Sequence, residues 1–258
     1  MKEILVAFGR AFRSLWRRDI FWHLVWPGLV AVVLWITIAV LQWEPMVATL
    51  FAWVQAVPLV GEWLTTGEAV AAIVLVLLKI GLALVFVPLI YVTAAVLVAV
   101  IALPLMLERV GRRDYADLEQ RRGGSNAGSA FNAVAATLMF GAALLVSLPF
   151  WLIPGVGLIV PVLLTGWLNQ RAFGYDALML HADADELRRL RAEQRLPMLA
   201  LGGACALLAY VPVLNLIAPA YSGLAFVHFM LEALRRERVR NGVTLLDAAP
   251  KSLPRTDA

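Results

Sequence analysis

Apolar residues run almost unbroken through four stretches, about 20–42, 68–107, 130–173 and 196–232, and most charged residues are confined to the intervals between them. At the amino end the pattern is periodic. Ile4, Leu5, Phe8, Phe12, Leu15 and Trp16 share one face of a helix over residues 1–18, and Lys2, Arg10, Arg13 and Arg17 lie away from it. That spacing predicts a basic amphipathic helix lying on an anionic membrane surface. The longer stretches approach or exceed the roughly 20 residues a helix needs to cross a bilayer, which predicts an all-α integral membrane protein. The stretch from Ile20 to Leu41 follows arginines as a signal peptide would, but it lacks a small-residue cleavage site and is expected to be a retained membrane helix.

The third and fourth stretches carry the same punctuation. Residues 153–161 read IPGVGLIVP and residues 211–219 read VPVLNLIAP. Pro154 and Pro212 each remove a helical hydrogen bond and disfavour helix in the preceding residue, whereas Gly155, Gly157 and Asn215 tolerate left-handed backbone. Each pattern predicts a turn in the middle of its stretch, making helical hairpins of 130–173 and 196–232. The arm from Leu196 to Val211 has 16 residues, about 24 Å of helix against a hydrocarbon core of about 30 Å. The second hairpin is therefore expected to enter the bilayer and turn within it. Backbone that turns in lipid must be sheltered by protein or water, so the two apices are expected to converge as re-entrant turns beside a pathway. The expected fold is two long transmembrane helices, 20–42 and 68–107, plus two re-entrant hairpins. Together with helix 1–18 they form a single membrane domain over 1–242, ahead of a disordered tail, 243–258.

Charge adds an orientation. All but one of the 22 lysines and arginines fall in four clusters around residues 2–18, 109–122, 171–195 and 235–255, while residues 42–67 contain Glu44 and Glu62 and no basic residue. The positive-inside bias places the clusters and both termini in the cytoplasm and residues 42–67 outside. In that outer segment, residues 47–57 predict an interfacial stretch and VPLVGEW, residues 57–63, an ordinary turn. Residues 123–129, GGSNAGS, predict a flexible linker. Asp183 and Glu186 predict a capping box opening a solvated charged helix over 185–195.

The chain is 62% hydrophobic and 16% charged, and its candidate chemistry is sparse. His23, His181 and His228 share no ligand spacing, and no nucleophile triad, phosphate loop or dinucleotide fingerprint is present. No catalysis, metal, cofactor or nucleic-acid partner is expected. The lone cysteine, Cys205, excludes a disulfide framework. Lys79 interrupts an apolar run and is a candidate pathway residue, because intramembrane charge is costly. Asn169 and Arg171 at the cytoplasmic end of the first hairpin, and Pro154, Gly155, Gly157, Pro212 and Asn215 at the apices, complete the pathway candidates. Arg17 and Arg18, before the first crossing, are candidate anion ligands.

The basic amphipathic start, WPGLV at Trp26 to Val30, two long crossings and two Pro/Gly-centred hairpins with Asn169 and Phe173 after the first together resemble the CysZ sulfate permeases and their wider relatives. The resemblance covers about residues 5–235. It implies a bacterial inner-membrane channel or permease for a small solute such as sulfate, with two full spans and two partly penetrating hairpins, assembled as a homo-oligomer in the lipid bilayer. In those permeases a Gly-Leu-Arg stretch with adjacent arginines binds sulfate. The matching region here, LWRRDIFWH, keeps the arginine pair as Arg17 and Arg18, lacks the glycine and adds Asp19. The competing reading is a non-transporting scaffold that binds lipid or partner proteins through its basic cytoplasmic loops.

Overall fold

The computed structural model describes residues 2–65, 67–215, 217–243 and 245–246. Among them the regular structure is entirely helical: α1 (Lys2–Leu15), α2 (Arg18–Ala56), α3 (Pro58–Thr65), α4 (Glu68–Leu97), α5 (Leu103–Asp114), α6 (Asn126–Ser147), α7 (Val156–Asp176), α8 (Ala184–Glu193), α9 (Arg195–Leu208), α10 (Pro212–Asn215) and α11 (Ala218–Arg240). A π-helical segment, Val98–Ala102, joins α4 to α5, and a 3-10 segment, Leu148–Leu152, extends α6. Three helical runs among the described residues are long and apolar enough to cross a membrane: Arg18–Ala56, Glu68–Asp114 and Asn126–Leu152. The protein is thus a multi-pass membrane protein.

The chain divides into two compact units, one of Leu24–Val100 and one of Met1–His23 with Ile101–Ala258. In the first, α2 is 39 residues long, about 58 Å at 1.5 Å per residue. It does not end near residue 42 as expected. It continues through Pro45 to Ala56 and absorbs the stretch read as interfacial. A proline removes one backbone bond but does not end a helix whose following residues are good helix formers in an apolar setting. Thr49 Oγ1 donates to the Pro45 carbonyl at 2.8 Å. VPLVGEW turns only at Val57, a bend after which α3 begins, and the turn is tight: a Cβ on Gly61 would lie 2.3 Å from the Gln55 carbonyl oxygen. Between α2 and α4 a small core forms from Val47, Leu82 and Phe86, flanked by Trp35, Trp43 and Met46. Trp35 meets Phe86 edge-on at 5.8 Å and donates to Thr93 Oγ1 at 2.9 Å.

In the second unit α11 is the central post. Residues Ser222–Leu231 are all buried, with α1, α5, α7 and α9 packed around them. Helix α1 buries Ala7, Ala11, Ser14 and Leu15. Phe8 stacks on Tyr221 at 5.7 Å, and the Tyr221 hydroxyl donates to the Phe8 carbonyl at 3.0 Å. The large residues expected to define the apolar face of α1 mostly point away from the protein, with Leu5 70%, Phe12 58% and Trp16 62% exposed. Small residues allow α1 to lie close to α11, which leaves the bulky ones to the surroundings.

Two further expectations are corrected. GGSNAGS is no flexible linker: Gly123 and Gly124 donate to the carbonyls of Ala182 and Met179 at 2.8 and 3.1 Å, and Ser125 caps α6 by accepting from Gly128 N–H. The capping box at Asp183 and Glu186 is present, but α8 is not simply solvated, since Glu186, Leu187 and Leu190 are buried. Glu186 receives a bidentate bond from Arg238 at 3.0 and 2.8 Å, and Arg238 also donates to the His181 carbonyl at 2.7 Å. Burial alone would raise the Glu186 carboxyl, but the Arg238 hydrogen bond holds it below its ordinary value. At the carboxyl end, Leu246 N–H donates to the Asp117 carbonyl at 2.9 Å. Residues 244 and 247–258 of the expected tail lie outside the described residues.

Candidate solute pathway and anion site

The first repeat builds a turn as its residues dictate. The 3-10 segment ends at Leu152, and Gly155 takes a left-handed φ of +85° that caps α7. Val156 N–H donates to the Ile153 carbonyl and Leu158 and Ile159 N–H to that of Gly155. Pro154 and Gly155 are exposed, whereas Gly157 is half-buried against Trp151 within α7, with no positive φ. The second repeat turns differently. Pro212 and Asn215 bound the single helical turn α10, and Asn215 N–H donates to the Val211 carbonyl at 2.8 Å. Asn215 does not use left-handed backbone. One glycine hinge therefore serves the first apex and one extra helical turn the second.

The two hairpins meet through glycines that the sequence reading passed over. A Cβ on Gly202 would lie 2.4 Å from the Gly166 carbonyl oxygen, and one on Gly166 would lie 2.8 Å from Gly203 N. Only bare backbone permits this crossing, the usual means by which membrane helices approach closely. Further along, Gly174 abuts Met198. Contacts that descend on α9 while they ascend on α7 make the pair antiparallel, so the ends leading to the two apices point the same way. Asn169 secures the crossing by donating to the Gly202 carbonyl at 3.3 Å. Glycines at 166, 202 and 203 inside apolar arms were the available signal for it.

Arg171 lies one turn from this crossing. Its guanidinium rests over the Trp167 ring at 5.7 Å, and its carbonyl accepts from Asn132 Nδ2 at 2.8 Å. Lys79 stands half-buried near the middle of α4. Beside it α2 and α4 enclose an open groove of about 700 Å³ lined by Gln42, Thr49 and Trp53 among apolar residues; Lys79 does not line it. Lys79 belongs to the first unit and the hairpin residues to the second.

Arg17 lies in the break between α1 and α2, and Arg18 is the first residue of α2. Arg17 donates to both oxygens of Asp114 at 2.9 Å and to Asp19 at 3.4 and 3.2 Å. Its burial favours the neutral form, but the Asp19 and Asp114 carboxylates prevail and hold its proton more firmly than usual. Asp19 also lies 3.8 Å from Arg113, and its carbonyl accepts from Arg109 at 3.4 Å. An aspartate from the chain itself thus sits among arginines where an external anion would bind. Arg18 is exposed and makes no ion pair among the described residues.

Beneath α1 a polar network ties the basic clusters together. His228 lies 2.9 Å from Ser14 Oγ and 3.0 Å from the Tyr115 hydroxyl, Arg10 donates to Glu232 at 2.6 Å, and Arg235 grips Asp117 at 2.8 and 2.6 Å. Burial pushes the Tyr115 hydroxyl up to about 12. His181 is buried with its ring against Gly111. No group of three or more His, Cys, Asp or Glu among the described residues is placed to hold a metal.

A family model described as sulfate transporter CysZ/etoposide-induced protein 2.4 matches residues 7–219, which takes in α1 to α10 and both hairpin apices. No curated protein and no solved structure matches the chain. Three spanning-length helices, two Pro/Gly-punctuated hairpins and a match over most of its length place the chain in the sulfate transporter CysZ/etoposide-induced protein 2.4 family.

Proposed function

We propose that this protein is an inner-membrane permease for a small inorganic anion, sulfate being the first to test, acting as a homo-oligomer with both termini in the cytoplasm. The family match over residues 7–219 carries the reading. The antiparallel α7/α9 pair supports it, since it brings two interrupted membrane segments side by side with their apices directed alike, the arrangement in which irregular backbone adjoins a cavity. No nucleotide-binding motif is present in the sequence, and the flux is accordingly passive or gradient-driven.

The engagement of Arg17 by Asp19 and Asp114 favours a second reading, because the best candidate anion ligand is neutralised from within. On that reading the exposed Leu5, Phe12 and Trp16 of α1 and the basic loops form a lipid-binding scaffold. Radiolabelled sulfate uptake into proteoliposomes separates the two. Saturable uptake competed by unlabelled sulfate supports the permease; uptake no greater than that of protein-free vesicles for sulfate, phosphate and chloride overturns it.

A further inference from the structure

Almost every arginine in the interior of the second unit faces a carboxylate: Arg17 with Asp19 and Asp114, Arg189 with Glu237, Arg235 with Asp117, Arg238 with Glu186. Arg171 and Arg191 break the rule. Both are half-buried, and neither makes an ion pair among the described residues. They are neighbours, for Arg191 Nη2 donates to the Arg171 carbonyl at 3.2 Å. Arg191 lies over the Tyr175 ring at 5.6 Å and Arg171 over the Trp167 ring at 5.7 Å. Apart from that one bond to a carbonyl, the two guanidiniums make no hydrogen bond to a described residue, and Arg171 Nε is shut off from solvent without a partner. The carboxylate that acts on Arg191 is Asp176, but it accepts from Ser129 Oγ and forms no ion pair with either arginine.

Two like charges held together, partly desolvated and short of acceptors, are costly unless something anionic joins them. Planar guanidinium forks are suited to the paired oxygens of sulfate or phosphate. Burial, and then the charge of Arg171, shift Arg191 toward giving up its proton, a penalty that a bound anion would cancel. We propose that Arg171 and Arg191 form a site for a tetrahedral oxyanion, either a free ion or a lipid phosphate, beside the α7/α9 crossing. Each guanidinium lies over an aromatic face, Trp167 or Tyr175, and both side chains are only half-buried. The site's place on a transport route rests on the permease reading; its chemistry does not.

The test is thermal stabilisation of the full-length protein in detergent, titrated at constant ionic strength with sodium sulfate and, separately, with a short-chain phosphatidic acid, against sodium chloride. Wild type is expected to gain stability with at least one oxyanion and not with chloride. Arg171→Gln and Arg191→Gln are each expected to weaken the apparent affinity at least about tenfold, corresponding to about 1.4 kcal/mol. Arg191→Lys, which keeps the charge and guards against a folding defect, is expected to lie between. Response to sulfate identifies a free ion and response to the lipid alone a headgroup; either upholds the site. Equal affinity in the wild type and both glutamine variants, or no oxyanion response in wild type, overturns it. Proteoliposome flux run in parallel keeps the readings separate: binding without flux retains the site and removes the permease, whereas flux without oxyanion stabilisation does the reverse.

Discussion

Helix α2 is apolar over nearly its whole length, yet in its apolar window only 11% of the residues are buried within the protein. Helix α11 carries four arginines, two glutamates and a histidine, and between Ala220 and Leu231 every residue but Tyr221 is buried. In water the order would be reversed. In lipid, hydrocarbon is as good a neighbour for a valine as another helix is, so hydropathy marks the surface that meets the bilayer. The interior goes instead to the segment with small residues for close packing, such as Ala220, Ser222, Gly223 and Ala225, and with polar groups that find partners. This teaches where stability resides: in the pinned, less apolar post, and little in the long greasy rod.

The sharpest way to break that comparison is to unpin the post. Arg238→Ala leaves Glu186 buried without its partner, and is expected to cost about 3–5 kcal/mol, read as loss of folded protein in detergent unfolding followed by tryptophan fluorescence. Next is the glycine crossing. Gly202→Val drives side-chain atoms into the Gly166 carbonyl and is expected to cost about 1–3 kcal/mol, with Gly203→Ala, whose Cβ would meet nothing within 4 Å, as the near-neutral control in the same measurement.

Acid should act at a similar scale. Burial lowers His181 from its ordinary 6.5 to about 4, so the unfolded chain takes up that proton first as pH falls. The His181 contribution is then complete above about pH 6.5 and declines below it, by about 2 kcal/mol at pH 5. Glu186, held below its ordinary value, adds a further loss only as pH falls through about 4.5. Tm measured across pH 7.5 to 5 should fall, and His181→Gln should make that fall shallower by the His181 share. The smallest effect belongs to the rod. Val33, 64% exposed on α2, should tolerate alanine within about 0.5 kcal/mol. A cost of about 2 kcal/mol would show that another copy of the chain covers that face.

Sequence patterns conveyed a good part of this fold. Long apolar runs, Pro154–Gly155 and the Asp183/Glu186 capping box are signals that act within a few residues, and the helices, the first apex and the start of α8 lie close to where they were expected. Helix α2 runs past residue 42, a bound set by the charge pattern, which bears on where the chain leaves the bilayer and says nothing of where the helix ends. The role of Arg17 was hidden because Asp114 lies 97 residues away, and no local pattern announces such a partner. GGSNAGS read as a linker because small polar residues are favoured both in free chain and in capped turns; what decides between them is the loop of Met179 and Ala182 brought alongside. The glycine crossing was legible in part, since small residues in membrane arms are meaningful, but which ones face each other depends on the pairing of the hairpins.

The π-helical segment Val98–Ala102 has a consequence of its own. Before it, α4 is apolar on nearly every side, and only Leu82 and Phe86 of its residues are buried. After it, α5 has a definite inside, Leu103, Met106, Leu107 and Val110, which packs toward α11, and a definite outside in Arg109, Arg112 and Arg113. A single widened coil shifts the angular phase of everything downstream. It joins a length of helix that is apolar on nearly every side to one whose inside and outside are set residue by residue.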